Sequence, residues 1–130
     1  MKRKKLKSLK SLRAKLDKVF AAFIRKRDET TGGMGSCITC GEYRVLQCGH
    51  FQRQRFIPTR WHPLNCAGQC ARCNHPLWGG GEQDAFGLAI EQMYGAETVA
   101  ELRRLAKTTA HFTRSDLEAM IERFSASPPR

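Results

Sequence analysis

Cys37-Ile-Thr-Cys40 and Cys70-Ala-Arg-Cys73 are two C-x-x-C pairs separated by 29 residues. Each such knuckle turns the chain so that both sulfurs face one point, and two knuckles supply the four thiolates that satisfy a tetrahedral Zn2+. The spacing predicts one structural zinc on Cys37, Cys40, Cys70 and Cys73. Cys48 and Cys66 lie between the knuckles without paired spacing. They read as small buried residues or as substitutes for one of the four ligands. The remaining group that could do chemistry is His50, in Gln47-Cys-Gly-His-Phe51. An imidazole neutral near pH 7 can accept a proton, ligate a metal or lie buried.

The choice of zinc over disulfides depends on compartment. The opening MKRKKLKSLKSLRAKL threads basic residues among leucines and lacks the apolar stretch and cleavage site of a secretory signal. No apolar run approaches membrane-spanning length. The expectation is a cytoplasmic protein with no membrane partner, where thiols stay reduced and paired C-x-x-C means zinc. The formal charge of +11 is uneven, with twelve Lys and Arg against three Asp and Glu in residues 1–30 and eleven against nine in the rest. Such a basic end suits a polyanion, because each phosphate neutralised releases condensed counterions. Nucleic acid, an anionic membrane surface and simple solubility all fit the charge alone.

The elements that would position these groups follow from periodicity. A chain of 130 residues suits one small domain with a modest core. Leu6, Leu9, Leu12, Leu16, Val19, Phe20, Phe23 and Ile24 recur at three- and four-residue steps, which predicts an amphipathic basic helix over 6–27 within a segment 1–30. Thr30-Thr31-Gly32-Gly33 ends it, and the metal core is expected over 31–82, with strands at 43–51 and 56–61. Trp78-Gly79-Gly80-Gly81 reads as a turn before a helical part, 83–124, of the same domain. Helices are expected around 86–94, 98–107 and 116–124, the last with Ser115 and Glu118 as a capping box, followed by a loose tail over 125–130.

The order Cys40, Gly49-His50, Asn65, Cys70-Ala-Arg-Cys73-Asn74 resembles the HNH family of endonucleases. The resemblance implies an α+β fold: a small zinc-stabilised ββα-metal core of treble-clef type, flanked here by an N-terminal basic helix and C-terminal helices. A closer likeness covers most of the chain. CITCG, LQCGHFQRQRF, TRW, NCAGQCARCN and WGGGE, with FAAFIRKRDE before and YGAETVAEL after, resemble the NinG/Rap recombination proteins of lambdoid phages and prophages. That family implies a nuclease for branched or displaced-strand DNA such as Holliday junctions and D-loops, in a bacterial host cell. A homodimer and phage recombination proteins are the other partners this suggests.

Phosphodiester hydrolysis needs a deprotonated water and positive charge on the phosphoryl and departing oxygens. In the HNH layout His50 takes the water's proton, Asn74 offers an oxygen to a catalytic Mg2+ or Mn2+, and Asn65 holds the imidazole in place. The chain departs from the usual pattern at Gly49, where the family commonly has an Asp that ligates the cation. Gln47, His75, a backbone carbonyl and the substrate phosphates are the candidates to complete that shell, with His62 a further one, while His111 reads as an ordinary residue between helices. Lys4, Lys5, Lys7, Lys10 and Arg13 on the basic helix, and Arg53, Arg55, Arg60 and Arg72 around the core, are candidate phosphate contacts. The alternative is a non-catalytic zinc module that binds DNA or RNA, with His50 structural.

Overall fold

The computed structural model describes residues 6–75 and 83–128. A 20-residue helix, α1 (Leu9–Asp28), opens the described chain, capped by the Ser8 hydroxyl, which accepts from the Ser11 N–H at 3.0 Å. Leu12, Leu16, Phe20 and Ile24 recur every four residues and are all buried, so the predicted apolar stripe is the face turned inward.

Three antiparallel strands follow in spatial order: β1 (Met34–Ser36), β2 (Tyr43–His50) and β3 (Cys66–Cys70). The β2–β3 register runs from Leu46 opposite Cys70 to His50 opposite Cys66. The second strand was expected at 56–61, but that stretch forms a single helical turn, α2 (Ile57–Arg60), with Pro58 in its first turn. Proline lacks the N–H that a ladder needs, and the first turn of a helix does not use it. The strand that replaces it, Cys66-Ala-Gly-Gln-Cys70, is buried along its whole length. Its small residues carry little β preference, and packing on both faces makes it a strand.

Residues alternate across the sheet, and each face has its own core. Cys66, with Cys48 beside it, joins Leu12, Leu16, Phe20, Ile24, Trp61, Leu117 and Phe124 under α1 and α6 (Arg114–Ser125). Ala67 and Phe51 join Phe86, Ile90, Val99 and Leu102 under α4 (Gln83–Tyr94) and α5 (Ala96–Ala106). The fold is therefore α+β, with helices covering both faces of a small sheet. Phe20 and Phe23 meet Phe124 edge-on at 4.9 and 5.0 Å, fixing α6 against α1.

Local boundaries moved where caps moved. The capping box of α6 pairs Thr113 with Asp116 and not Ser115 with Glu118, and α5 begins at Ala96, directly after Gly95 at φ +96°. A φ in that range suits glycine, which lets α4 and α5 follow one another with a single residue between. The turn expected at Trp78–Gly81 lies outside the described residues, as do Lys4, Lys5 and the last two positions of the tail. Among the described residues no helix is long and apolar enough to cross a membrane.

Candidate metal centre and the His50 site

The two knuckles meet where the turn after β1 faces the end of β3. All four sulfurs of Cys37, Cys40, Cys70 and Cys73 lie within 4.8 Å of one another. The Cys40 and Cys70 sulfurs are 3.9 Å apart. Two thiolates on a tetrahedral zinc with bonds of about 2.3 Å would stand about 3.8 Å apart, so the donor set fits that ion. Burial pushes the Cys37 thiol up, but the backbone N–H groups of Cys40 and Cys70 and the Thr39 hydroxyl outweigh it and hold it at about 6. The Cys70 N–H reaches the Cys37 sulfur at 3.3 Å. Cys73 goes the other way, to about 12, through burial and its neighbouring thiols Cys70 and Cys40. The Cys37 sulfur is thus readily ionised, while Cys73 would release its proton as an ion arrives. Cys37, Cys70 and Cys73 form a small core of their own, and the group could hold zinc.

His50 ends β2, half-buried, and its Nε2 lies 3.0 Å from the carbonyl oxygen of Arg60. A carbonyl only accepts, so Nε2 carries the proton and Nδ1 keeps its lone pair. Burial lowers the pKa of His50 below the usual value, although the Arg60 carbonyl and Asp17 pull the other way. The ring is therefore neutral at neutral pH.

Asn65 is fully buried and closes the loop that brings the Arg60 carbonyl to His50. Its Oδ1 accepts from the Gln52 N–H at 2.8 Å, and its Nδ2 donates to the carbonyls of Gln52 and Thr59, each at 3.0 Å. The Asn65 carbonyl also receives the Phe51 N–H at 2.7 Å. Three bonds from the side chain and one from the backbone of Asn65 thus fix both ends of the 51–60 loop, and the three are what a short amide can make and an aliphatic side chain cannot.

Asn74 ends a four-residue helix, α3 (Ala71–Asn74), where a position at a helix start was expected. Its Nδ2 donates to Gln47 Oε1 at 3.0 Å. Gln47 and His50 are three residues apart on one strand, so their side chains leave opposite faces of the sheet. The structure thus joins Asn74 to Gln47, and His50 to Cys48 and Cys66, without bringing the two groups onto one face. His75 follows α3 and is exposed. His62 caps the 3-10 turn Pro63–Asn65, its Nδ1 accepting from the Leu64 N–H at 3.2 Å. His111 is exposed between α5 and α6.

Gly49 has a structural reason. A Cβ there would stand 2.9 Å from Cβ of Gln69 and closer still to its Oε1. Gln69 is fully buried and donates to the Thr39 hydroxyl at 3.2 Å, so it cannot step aside freely. The space an Asp would need is already filled.

Of the candidate phosphate contacts, Lys7, Lys10, Arg53, Arg55 and Arg72 are exposed and Arg13 is half-buried. The Arg55 guanidinium lies over the Phe56 ring at 4.8 Å. Arg72 lines a cleft of about 500 Å³ with Tyr43, Arg44 and Val45, beside Cys70. Arg60 is committed elsewhere: its Nε and Nη2 donate to the two Asp17 oxygens at 3.0 and 2.6 Å, and Trp61 Nε1 donates to Asp17 Oδ1 at 2.9 Å. An acid isolated on a basic helix was the available signal for that clamp. A second clamp was also missed. Arg27 pairs with Asp28 and donates to the carbonyls of Pro63 and Cys66, while Asp28 accepts the Gly68 N–H at 2.7 Å. These bonds dock the end of α1 on β3.

A basic helix laid on a small antiparallel sheet, with four cysteine sulfurs converging at one end, defines a small α+β protein built around a candidate metal centre. The family model described as Bacteriophage Lambda NinG protein matches residues 1–128, and the chain belongs to the NinG family. Neither a curated protein nor a solved structure matches it.

Proposed function

We propose that this protein is a metal-dependent endonuclease of HNH type that hydrolyses phosphodiester bonds in branched or displaced-strand DNA during phage recombination. The observation that carries the reading is the His50 imidazole, neutral and held by the Arg60 carbonyl with Nδ1 left as a proton acceptor. His50 takes a proton from the attacking water, and Asn65 keeps the Arg60 carbonyl in place. Zinc on Cys37, Cys40, Cys70 and Cys73 is structural: it ties the β1 turn to the end of β3 and performs no hydrolysis.

The catalytic cation, Mg2+ or Mn2+, is held mainly by substrate phosphates and water, as Mg2+ commonly is. Gly49 offers it no carboxylate, and Asn74 with Gln47 leaves the opposite face of the sheet from His50. The basic outer face of α1, with Arg53, Arg55 and Arg72, meets phosphates along the DNA. Arg60 acts through its clamp to Asp17 and not on DNA. Zinc-loaded protein incubated with a Holliday junction or D-loop should nick it when Mg2+ or Mn2+ is added. Tight, salt-sensitive binding with no cleavage in either ion would reject the reading.

A second reading has one observation in its favour: the thiols of Cys48 and Cys66 crowd His50 as they would a metal ligand. It makes the protein a non-catalytic zinc module for DNA or RNA.

A further inference from the structure

Two sulfurs and one imidazole nitrogen, from Cys48, Cys66 and His50, lie within 4.8 Å of one another. The strand register explains why. Cys48 and His50 leave the same face of β2, and Cys66 stands opposite His50 on β3. Sulfurs sharing a zinc are about 3.8 Å apart, so side-chain adjustments of about 1 Å would bring the three donors to bonding distance. The bond from Nε2 to the Arg60 carbonyl is the kind of outer interaction that orients a metal-bound imidazole, and it leaves Nδ1 as the nitrogen with a lone pair to give. No fourth Cys, His, Asp or Glu joins the group among the described residues. The Asp17 carboxylate is taken up by Arg60 and Trp61.

We propose that Cys48, His50 and Cys66 form a second site for a thiophilic divalent ion, Zn2+, weaker than the four-cysteine site, and that filling it silences hydrolysis. As the two Zn–S bonds form, the thiols of Cys48 and Cys66 release their protons to solvent, and the Nδ1 lone pair of His50 becomes a ligand. Water or a phosphate oxygen takes the fourth position. Three protein donors against four make this the weaker site. The same element then builds the fold at one end of β3 and blocks the proton acceptor at the other. Binding stands independently of the hydrolytic reading, whereas the inhibition rests on it.

The test titrates Zn2+, and Co2+ as its coloured substitute, into full-length protein whose four-cysteine site is already filled. Wild type should take a second equivalent, with thiolate-to-cobalt absorption at that step. Cys48→Ala and Cys66→Ala should each keep the first equivalent and bind the second at least about 10–100-fold more weakly, since removing even an outer partner of a ligand costs that much. A wild type that stops at one equivalent, or a second equivalent that survives both substitutions unchanged, overturns the site. Should Cys66→Ala misfold, the half-buried Cys48 decides alone. Cleavage of branched DNA in Mg2+ should stop as the second equivalent binds and persist in Cys48→Ala. Equal cutting in both load states overturns the inhibition only. Binding of the second ion by a protein that cuts under no condition overturns the inhibition and the hydrolytic reading while the site stands.

Discussion

The imidazole of His50 donates from Nε2 to the carbonyl oxygen of Arg60, ten residues along the chain, at 3.0 Å. That bond fixes which nitrogen keeps its lone pair, and burial widens the pH range over which the ring stays neutral. Because burial lowers the pKa of His50 below the ordinary 6.5, the neutral form persists into mildly acid solution. Cleavage should hold its rate as pH falls through 6.5 and decline only below it, as the folded-state pKa is crossed. A pH–rate profile under single-turnover conditions reads this directly. An acid limb at or above 6.5 would contradict it.

The same shift has a stability consequence. The unfolded chain binds a proton near pH 6.5, where folded His50 does not. The stabilisation is complete above 6.5 and is lost as pH falls through the lower folded-state value. His62 shifts the same way, by burial and then by Arg123. Denaturant unfolding of wild type and His50→Asn, compared from pH 7.5 to 5, should therefore show a shallower pH dependence in the variant.

Gly49 and Gln69 supply a packing prediction. A methyl at 49 would press on a buried side chain already tied to Thr39. Overpacking of this kind costs about 1–3 kcal/mol, so Gly49→Ala should lower the unfolding free energy by that amount. Gly49→Ala combined with Gln69→Ala should cost less than the two changes summed, because the second opens the space the first needs. Strict additivity in that double-mutant cycle would mean that the two side chains do not compete.

Removal of one knuckle ligand should unfold the protein. Structural zinc contributes about 10–16 kcal/mol in small domains, comparable to or above the 5–15 kcal/mol that separates folded from unfolded chains. Cys70→Ser should therefore lose zinc by elemental analysis and lose the cooperative transition in circular dichroism. Retention of both would place the zinc elsewhere.

The outer face of α1 carries Lys10, Lys15, Lys18 and Lys26, all exposed. Replacing Lys7, Lys10 and Arg13 with Gln should weaken DNA binding across sequences. It should also flatten the salt dependence by about 0.9 for each phosphate no longer neutralised. An unchanged slope in a binding titration from about 50 to 200 mM salt would move the DNA surface off this helix.

How much of this was legible depended on whether a signal was local. The stripe of α1 and the two knuckles repeat at fixed short spacing, and the structure buries the one and brings the four sulfurs of the other together, because periodicity and knuckle geometry are properties of neighbouring residues. β3 did not read, because Cys-Ala-Gly-Gln-Cys owes its strand to burial by α1 on one side and α4 with α5 on the other. The Asp17–Arg60 and Arg27–Cys66 clamps span 43 and 39 residues, distances at which no spacing rule operates. Asn65 was legible as a holder of the His50 loop only through the family's layout. Its grip on both ends of that loop is a tertiary fact. The separation of Asn74 from His50 by the sheet follows from strand alternation, but only once the register is known.

The proposed role of His50 is to move a proton in phosphodiester hydrolysis. Its most direct test is the single-turnover nicking rate of His50→Ala on a branched DNA in Mg2+, beside wild type, with zinc content and DNA affinity measured on the same samples. The rate should fall by about 10²–10⁴-fold, the usual cost of losing a general base, with zinc and affinity nearly unchanged. Cleavage at the wild-type rate by folded, zinc-replete His50→Ala would contradict it.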